Sequence, residues 1–226
     1  MELWTRNGLQ WTRADVIFFA ACFGLMLLHP LLNGFPLLFP DSWAYCAECP
    51  DGTRSPVLGC ATRPLVAAAG IWGYVVFQCA AVAWVFTLLS GAVFQRRDAA
   101  AVLAAIVVSG AGIFAGWVLA DVWTLAGLIC LFAVSSGCAS PPTLLLLAFA
   151  LATHFGNFPV YAATAFGFLP VVRERLKFTL RVVVCTLAAL SLVAASNLLG
   201  GRLKLISGNG PSFLAARMLH DFPGLI

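Results

Sequence analysis

Acidic and basic side chains suited to chemistry on a phosphate-containing donor stand at a few points of an otherwise apolar chain. Asp41 follows the first apolar run, and Asp121 separates two later runs with almost no loop between them. A carboxylate can accept the proton of an acceptor hydroxyl, and guanidinium groups match phosphate oxygens with paired hydrogen bonds. We therefore expect Asp41 to be a general base assisted by Asp121, and Arg54 and Arg63 to hold the donor phosphate.

Three further polar residues are expected near the same site. His154 and Asn157 end a later apolar run, and Arg217 lies in the carboxyl-terminal tail. The topology that the basic residues predict puts all of them on the side of Asp41 and Asp121, so we expect one outward-facing cavity. No His, Asp and Glu set has recognisable metal spacing. For this reason we assign no metal ligand, although the sequence leaves open whether a divalent metal ion binds.

Each of these residues also has a structural interpretation. Pro40-Asp41-Ser42 is a good turn sequence. Asp121 also suits a tight interfacial hairpin, although ionisable groups at membrane depth are functional candidates by default. The loop arginines could simply be solvated or contact lipid headgroups. His154 could be a packing residue that makes a hydrogen bond.

Three cysteines share the first polar loop, in contrast to those inside apolar runs. Cys46-x-x-Cys49 resembles half of a zinc or redox site, but zinc needs two further ligands and Cys60 offers one. A thioredoxin-like unit around the pair is absent from the sequence. In an oxidising outer compartment we expect a structural disulfide of Cys60 with Cys46 or Cys49, and the pairing stays open.

The composition is that of an integral membrane protein. The 226 residues are 62% hydrophobic and 10% charged, with a mean hydropathy of +0.96. Soluble chains are about 45–50% apolar and about 25% charged. A soluble enzyme, a nucleic-acid binder and a disordered chain are excluded, because a chain of this size cannot hide so much apolar surface. We predict one membrane domain over residues 1–226.

The apolar runs predict an all-α transmembrane bundle of about seven spanning helices, since a span needs about 20 mostly apolar residues. Helices five and six could instead form one interrupted or re-entrant element. Gly112-x-x-x-Gly116 predicts close helix packing inside the bundle, with dimerisation as the weaker alternative. The predicted spans are 16–38, 65–94, 99–120, 122–137, 143–156, 158–172 and 178–199.

The basic residues predict the orientation. Three short basic clusters fall on one side if the amino terminus is cytoplasmic, and Arg181 then snorkels to that same interface. The net charge of +4 reports this topology more than a polyanionic partner. We expect a multi-pass protein of the bacterial inner membrane with a periplasmic carboxyl terminus. Residues 40–63 form the first outer loop, and residues 207–226 carry a short amphipathic helix on the outer interface. The inner clusters are Arg6 and Arg13, Arg96 and Arg97, and Arg173, Arg175 and Lys177.

The first outer loop resembles that of the GT-C superfamily of membrane glycosyltransferases. The resemblance lies in Phe39-Pro40-Asp41-Ser42-Trp43-Ala44-Tyr45, Arg54-Ser55-Pro56 and Arg63-Pro64, with short matching segments at His154 to Asn157 and Asn209 to Arg217. It implies a sugar donor of the polyprenyl-phosphate type, an acidic base in this loop, a second acid near Asp121 and a substrate-binding Tyr45. The chain has fewer helices than such enzymes usually have, so we expect a fragment, a degenerate copy or a minimal relative.

Two functions of different classes follow. The first is a lipid-linked-sugar-dependent glycosyltransferase acting at the outer face. The second is a non-catalytic membrane subunit that packs in a larger complex, favoured by the short length and the small-residue helix faces. A transporter is less favoured, because no helix carries midplane ionisable residues. The expected partners are membrane lipids, a polyprenyl-phosphate sugar donor or a membrane-protein complex, and no nucleic acid.

Overall fold

The structure, a computed structural model, describes residues 11–38, 55–92, 99–118 and 120–199. These ranges contain eight helices and two short strands. The helices are α1 Arg13–Asn33, α2 Pro56–Ala92, α3 Ala99–Val108, α4 Ala111–Ala115, α5 Asp121–Ser135, α6 Pro141–Thr153, α7 Asn157–Phe168 and α8 Arg175–Leu199. The strands are β1 Leu37–Leu38 and β2 Trp117–Val118.

Among the described residues, three helices are long and apolar enough to cross a membrane: α1, α2 and α8. This part of the chain is mostly helical, which confirms the predicted class in its coarser form, and the number of seven spans stays a prediction. Helices α5 and α6 have 15 and 13 residues. At 1.5 Å per residue they are shorter than the roughly 30 Å hydrocarbon core.

Local sequence signals set the ends of several helices. Thr12 and Asp15 form a capping box at the start of α1, where each side chain bonds the other residue's backbone N–H. Gly34 ends α1 in the left-handed conformation, at φ 76°. Ser140 caps α6 by accepting a hydrogen bond from the Thr143 N–H, and Pro141 follows in the first turn.

Helix α2 bends sharply near its middle. Ala69 and Gly70 leave the helical region, and Gly70 has φ 60°. In a straight helix Leu65 and Gly73 would lie about 12 Å apart. A Cβ on Gly73 would instead overlap the Leu65 carbonyl. The two halves of α2 thus pack against each other. The sequence instead predicts one tilted span within residues 65–94.

The predicted span at 99–120 is wrong as a continuous helix. It is divided into α3, α4 and β2, because Gly110 adopts φ 69° and interrupts the helical hydrogen bonding. The absent side chains of Gly112 and Gly116 let α4 approach α1, where Cβ atoms would lie 3.1 Å from the Leu25 carbonyl oxygen and 2.7 Å from Pro30 Cδ. The internal-packing interpretation of these glycines is confirmed.

Two apolar cores share α2 and α5. One core joins these helices to α1, α3 and α4, with Met26, Val75 and Trp123 buried in it. The other joins them to α6, α7 and α8 around Cys130 and Leu147. Because α5 has one side in each core, the position of its first residue, Asp121, is fixed by packing on both sides.

The closest helix approach at α5 gives a stability prediction. A Cβ on Gly127 would overlap the Tyr161 hydroxyl and lie 2.8 Å from Ala150 Cβ. We expect Gly127→Ala to lower the free energy of unfolding by about 1–3 kcal/mol, as overpacking does. Thermal unfolding in detergent measures the change. Gly24→Ala is the matched control, since nothing lies within 4 Å of that position and alanine should stabilise the helix slightly. Equal effects of the two variants would contradict the packing described.

Candidate functional site

An apolar cavity of about 450 Å³ lies between α2, α3, α4 and α5. Val82 and Phe86 of α2 form one wall, and Leu125 and Ile129 of α5 form another. The exposed side chains of Leu125 and Phe114 show that the cavity opens to the surface. From Asp121 to Ile129 it follows α5 for about 12 Å. These dimensions suit an elongated apolar group.

Asp121 is the charged residue among those that line the cavity, and Ser109 is the other polar one. The aspartate is exposed and begins α5. Its carboxylate makes no hydrogen bond or ion pair with any residue in the described ranges. A carboxylate at this place is stabilised by the positive end of the helix, and it can accept a proton from a group bound in the cavity.

Gln78 is fully buried in α2 and is bonded to Ala115, a residue that lines the cavity. Its amide Nε2 donates to the carbonyl oxygens of Ala115 at 2.9 Å and Trp117 at 2.6 Å. The Cys79 thiol also donates to Ala115, at 3.3 Å. These contacts satisfy carbonyl groups freed where α4 ends, and they fix the chain that leads into Asp121.

A two-residue parallel pairing brings the segment after α1 next to the segment before α5. Leu37 pairs with Trp117 and Leu38 with Val118. The chain leaving α1 and the chain entering α5 therefore lie at the same end of the bundle. This is the end at which Asp121 is exposed.

Aromatic packing holds the start of α5 in place. The Trp123 ring is fully buried, with centroids 5.4 Å from Phe77 of α2 and 4.8 Å from Phe149 of α6. The backbone N–H of Trp123 also donates to the Ala120 carbonyl at 3.0 Å. Asp121 is thus carried on a rigid turn.

Asn157 is buried within a hydrogen-bond network between helices. Its Nδ2 donates to the Ala150 carbonyl at 2.7 Å, and its Oδ1 accepts from the Thr124 hydroxyl at 2.7 Å. Tyr161 donates to the Thr124 carbonyl at 2.8 Å. The amide joins α5, α6 and α7, so the geometry gives it a structural role, and its expected contact with substrate stays a prediction.

The other described site residues lie in separate places. His154 is half-buried after α6, and its Nδ1 accepts from the Gly156 N–H at 3.0 Å. Arg63 is exposed on α2, eight residues after Ser55, whose hydroxyl donates to the Ala152 carbonyl at the end of α6. Cys60 is half-buried in α2. None of these three lines the cavity with Asp121.

Several predicted residues lie outside the described residues. They are Asp41, Tyr45, Cys46, Cys49, Arg54, Arg217 and the amphipathic tail over 207–226. The disulfide and the two-acid site therefore stay predictions. Among the described residues there is no group of three or more His, Cys, Asp or Glu side chains placed to hold a metal ion.

Comparisons with models of protein families, with curated proteins and with solved structures find no match to this chain.

Gln78 is the positioning residue that sequence reasoning missed. The signal was present, since Gln78 is a strongly polar residue within a long apolar run. A buried amide in such a run must bond to another helix or to a broken backbone. The position of the broken backbone, however, depends on the conformation of Gly110.

Loss of the Gln78 amide should weaken the wall of the cavity. We expect Gln78→Met to lower the free energy of unfolding by about 1–3 kcal/mol, because the Trp117 carbonyl loses the amide donor and the Ala115 carbonyl keeps the weaker Cys79 thiol. Unfolding in detergent, followed by circular dichroism, measures this. Thr87→Val is the control, because the Thr87 hydroxyl bonds only the Ala83 carbonyl of its own helix, and it should cost less than about 1 kcal/mol. A Gln78→Met protein as stable as the control would refute the assignment.

A double-mutant cycle tests the link between α5 and α7. Thr124→Val and Asn157→Leu each remove one side of the bond between these residues. We expect a coupling of about 0.5–3 kcal/mol between the two changes in unfolding free energy. Strict additivity would show that the two side chains act independently.

Proposed function

We propose that the chain is a membrane glycosyltransferase that takes a sugar from a polyprenyl-phosphate-type donor at the outer face of a bacterial inner membrane. The observation that carries the proposal is an exposed carboxylate, Asp121, on an apolar cavity of about 450 Å³. A lipid-linked donor needs both parts: an apolar surface for its chain and a polar group at the reacting end.

The proposed reaction is a displacement at the sugar's anomeric carbon. The acceptor hydroxyl oxygen forms a bond to that carbon, while the bond from the carbon to the phosphate oxygen breaks. The polyprenyl phosphate leaves with the electron pair, and the hydroxyl proton passes to a carboxylate. In this scheme Asp41 is the general base, Asp121 assists, and Arg54, Arg63 and Arg217 neutralise the phosphate.

The pairing of β1 with β2 supports placing both acids at one end of the bundle. Leu38 lies three residues before Asp41, and its partner Val118 lies three residues before Asp121. Three residues extend at most about 11 Å. Because these segments are short, the two carboxylates can contact one substrate in the proposed site, with Tyr45 in the same loop.

The proposed topology has seven membrane crossings, a cytoplasmic amino terminus and a periplasmic carboxyl terminus. Three of the crossings correspond to α1, α2 and α8. Helices α5, α6 and α7 supply shorter crossings packed between them, and α3 with α4 forms the interrupted one. Shorter helices are accommodated where neighbouring helices cover their ends.

Substitution of Asp121 tests the proposal. We expect Asp121→Asn to slow transfer of radiolabelled sugar from polyprenyl-phosphate glucose or mannose by about 100-fold or more, the contribution of a positioned acid or base. Folding should survive, because a charge at a helix start contributes only about 0.3–1 kcal/mol.

Asp15→Asn is the matched control, since Asp15 is also a carboxylate in the first turn of a helix but belongs to the α1 capping box. It should transfer sugar at the normal rate. If Asp121→Asn retains full transfer, or if the wild-type protein transfers no sugar and is purified bound to a larger membrane complex, the subunit interpretation replaces the enzyme.

A further inference from the structure

Four basic residues follow closely on one another in the sequence where α8 begins. Arg173, Arg175 and Lys177 are exposed, and Arg181 is half-buried. The acid among them, Glu174, pairs with Lys177 at 3.1 Å. Arg175 donates to the neutral Pro170 carbonyl at 3.2 Å, which leaves its charge uncompensated. The cluster therefore has an excess of positive charge with little internal neutralisation.

Arg181 is the least exposed of the four basic residues. It follows Lys177 by one helical turn, on the same face, and it lies beside the buried residues Phe178 and Cys185. Its guanidinium makes no hydrogen bond or ion pair within the described part of the chain. A guanidinium without a counter-ion on the protein is available to bind an external anion with paired hydrogen bonds.

Apolar side chains surround this cluster on the exposed side of the same helix. Leu176, Leu180 and Val184 are 73%, 55% and 62% exposed. Within a membrane these side chains contact acyl chains, while the arginines lie at the height of the headgroups. An anion that meets both surfaces together carries a phosphate and a hydrocarbon tail.

We propose that this cluster, Arg173, Arg175, Lys177 and Arg181, is a binding site for the phosphate of an anionic phospholipid. Arg181 binds the headgroup phosphate with paired hydrogen bonds. Arg173 and Arg175 contact the outer part of the same headgroup. The proposal depends on α8 crossing a membrane, and it is independent of the transferase reaction.

Lipid binding to the purified full chain tests this site. Native mass spectrometry counts lipids retained from micelles that contain phosphatidylglycerol or phosphatidylcholine. We expect retention of phosphatidylglycerol by the wild-type protein, and roughly fivefold weaker retention after Arg181→Gln, since each cation near an anionic lipid contributes by about that factor. Arg181→Lys should recover part of the loss, because lysine keeps the charge but lacks the paired geometry.

Arg13→Gln is the control, as an exposed arginine at the start of α1. It should retain phosphatidylglycerol normally. An equal loss in both arginine variants, or equal retention of the two lipids by the wild-type protein, would overturn the site. So would a rise of several degrees in the Tm of lipid-free protein on adding inorganic phosphate, because the ligand would then be a free anion. A thermal scan of each variant in detergent identifies any change that comes from misfolding.

Discussion

The structure depends on satisfying backbone polar groups where no water is available. A helix does this by itself, and an interruption must be repaired by another part of the protein. Here the interruption follows Gly110, and the freed carbonyls of Ala115 and Trp117 both bond the Gln78 amide. Without that amide the segment leading to Asp121 would have to expose or rearrange its backbone. The Gln78 side chain therefore supports both the cavity residue Ala115 and the segment that leads to Asp121.

The opposite side of α5 is held by a second polar contact. Asn157 connects Thr124 to the Ala150 carbonyl, and Tyr161 reaches the backbone of the same turn. Each bond replaces water that the packed helices exclude, so it specifies which helices are neighbours as well as stabilising them. Because α5 is fixed from both sides, its first residue has a defined position, which reacting groups require.

Hydropathy predicted where helices occur, because burial in lipid selects apolar residues over whole segments. It did not predict the break at Gly110 or the bend at Gly70, since both depend on backbone angles that glycine permits but does not impose. The candidate site likewise has residues that the sequence singles out and residues that it does not. Asp121 was predicted because a charge in an apolar run is unusual, whereas Val82 and Ile129 of the cavity walls resemble every other apolar residue in the sequence. Asn157 was identified as important, but its bonding partners come from helices distant in the chain.

Two carboxylates near helix starts, Asp15 and Asp121, differ in what their oxygens contact. Asp15 lies in a complete capping box and bonds the backbone and hydroxyl of Thr12, so it completes the end of α1. Asp121 also lies in the first turn of its helix, but it is the first helical residue, whereas Asp15 is the third. The residue before Asp121 is Ala120, and no side chain caps α5. The oxygens of Asp121 bond to no described residue and border an apolar cavity, which is the arrangement that the proposed transferase would use.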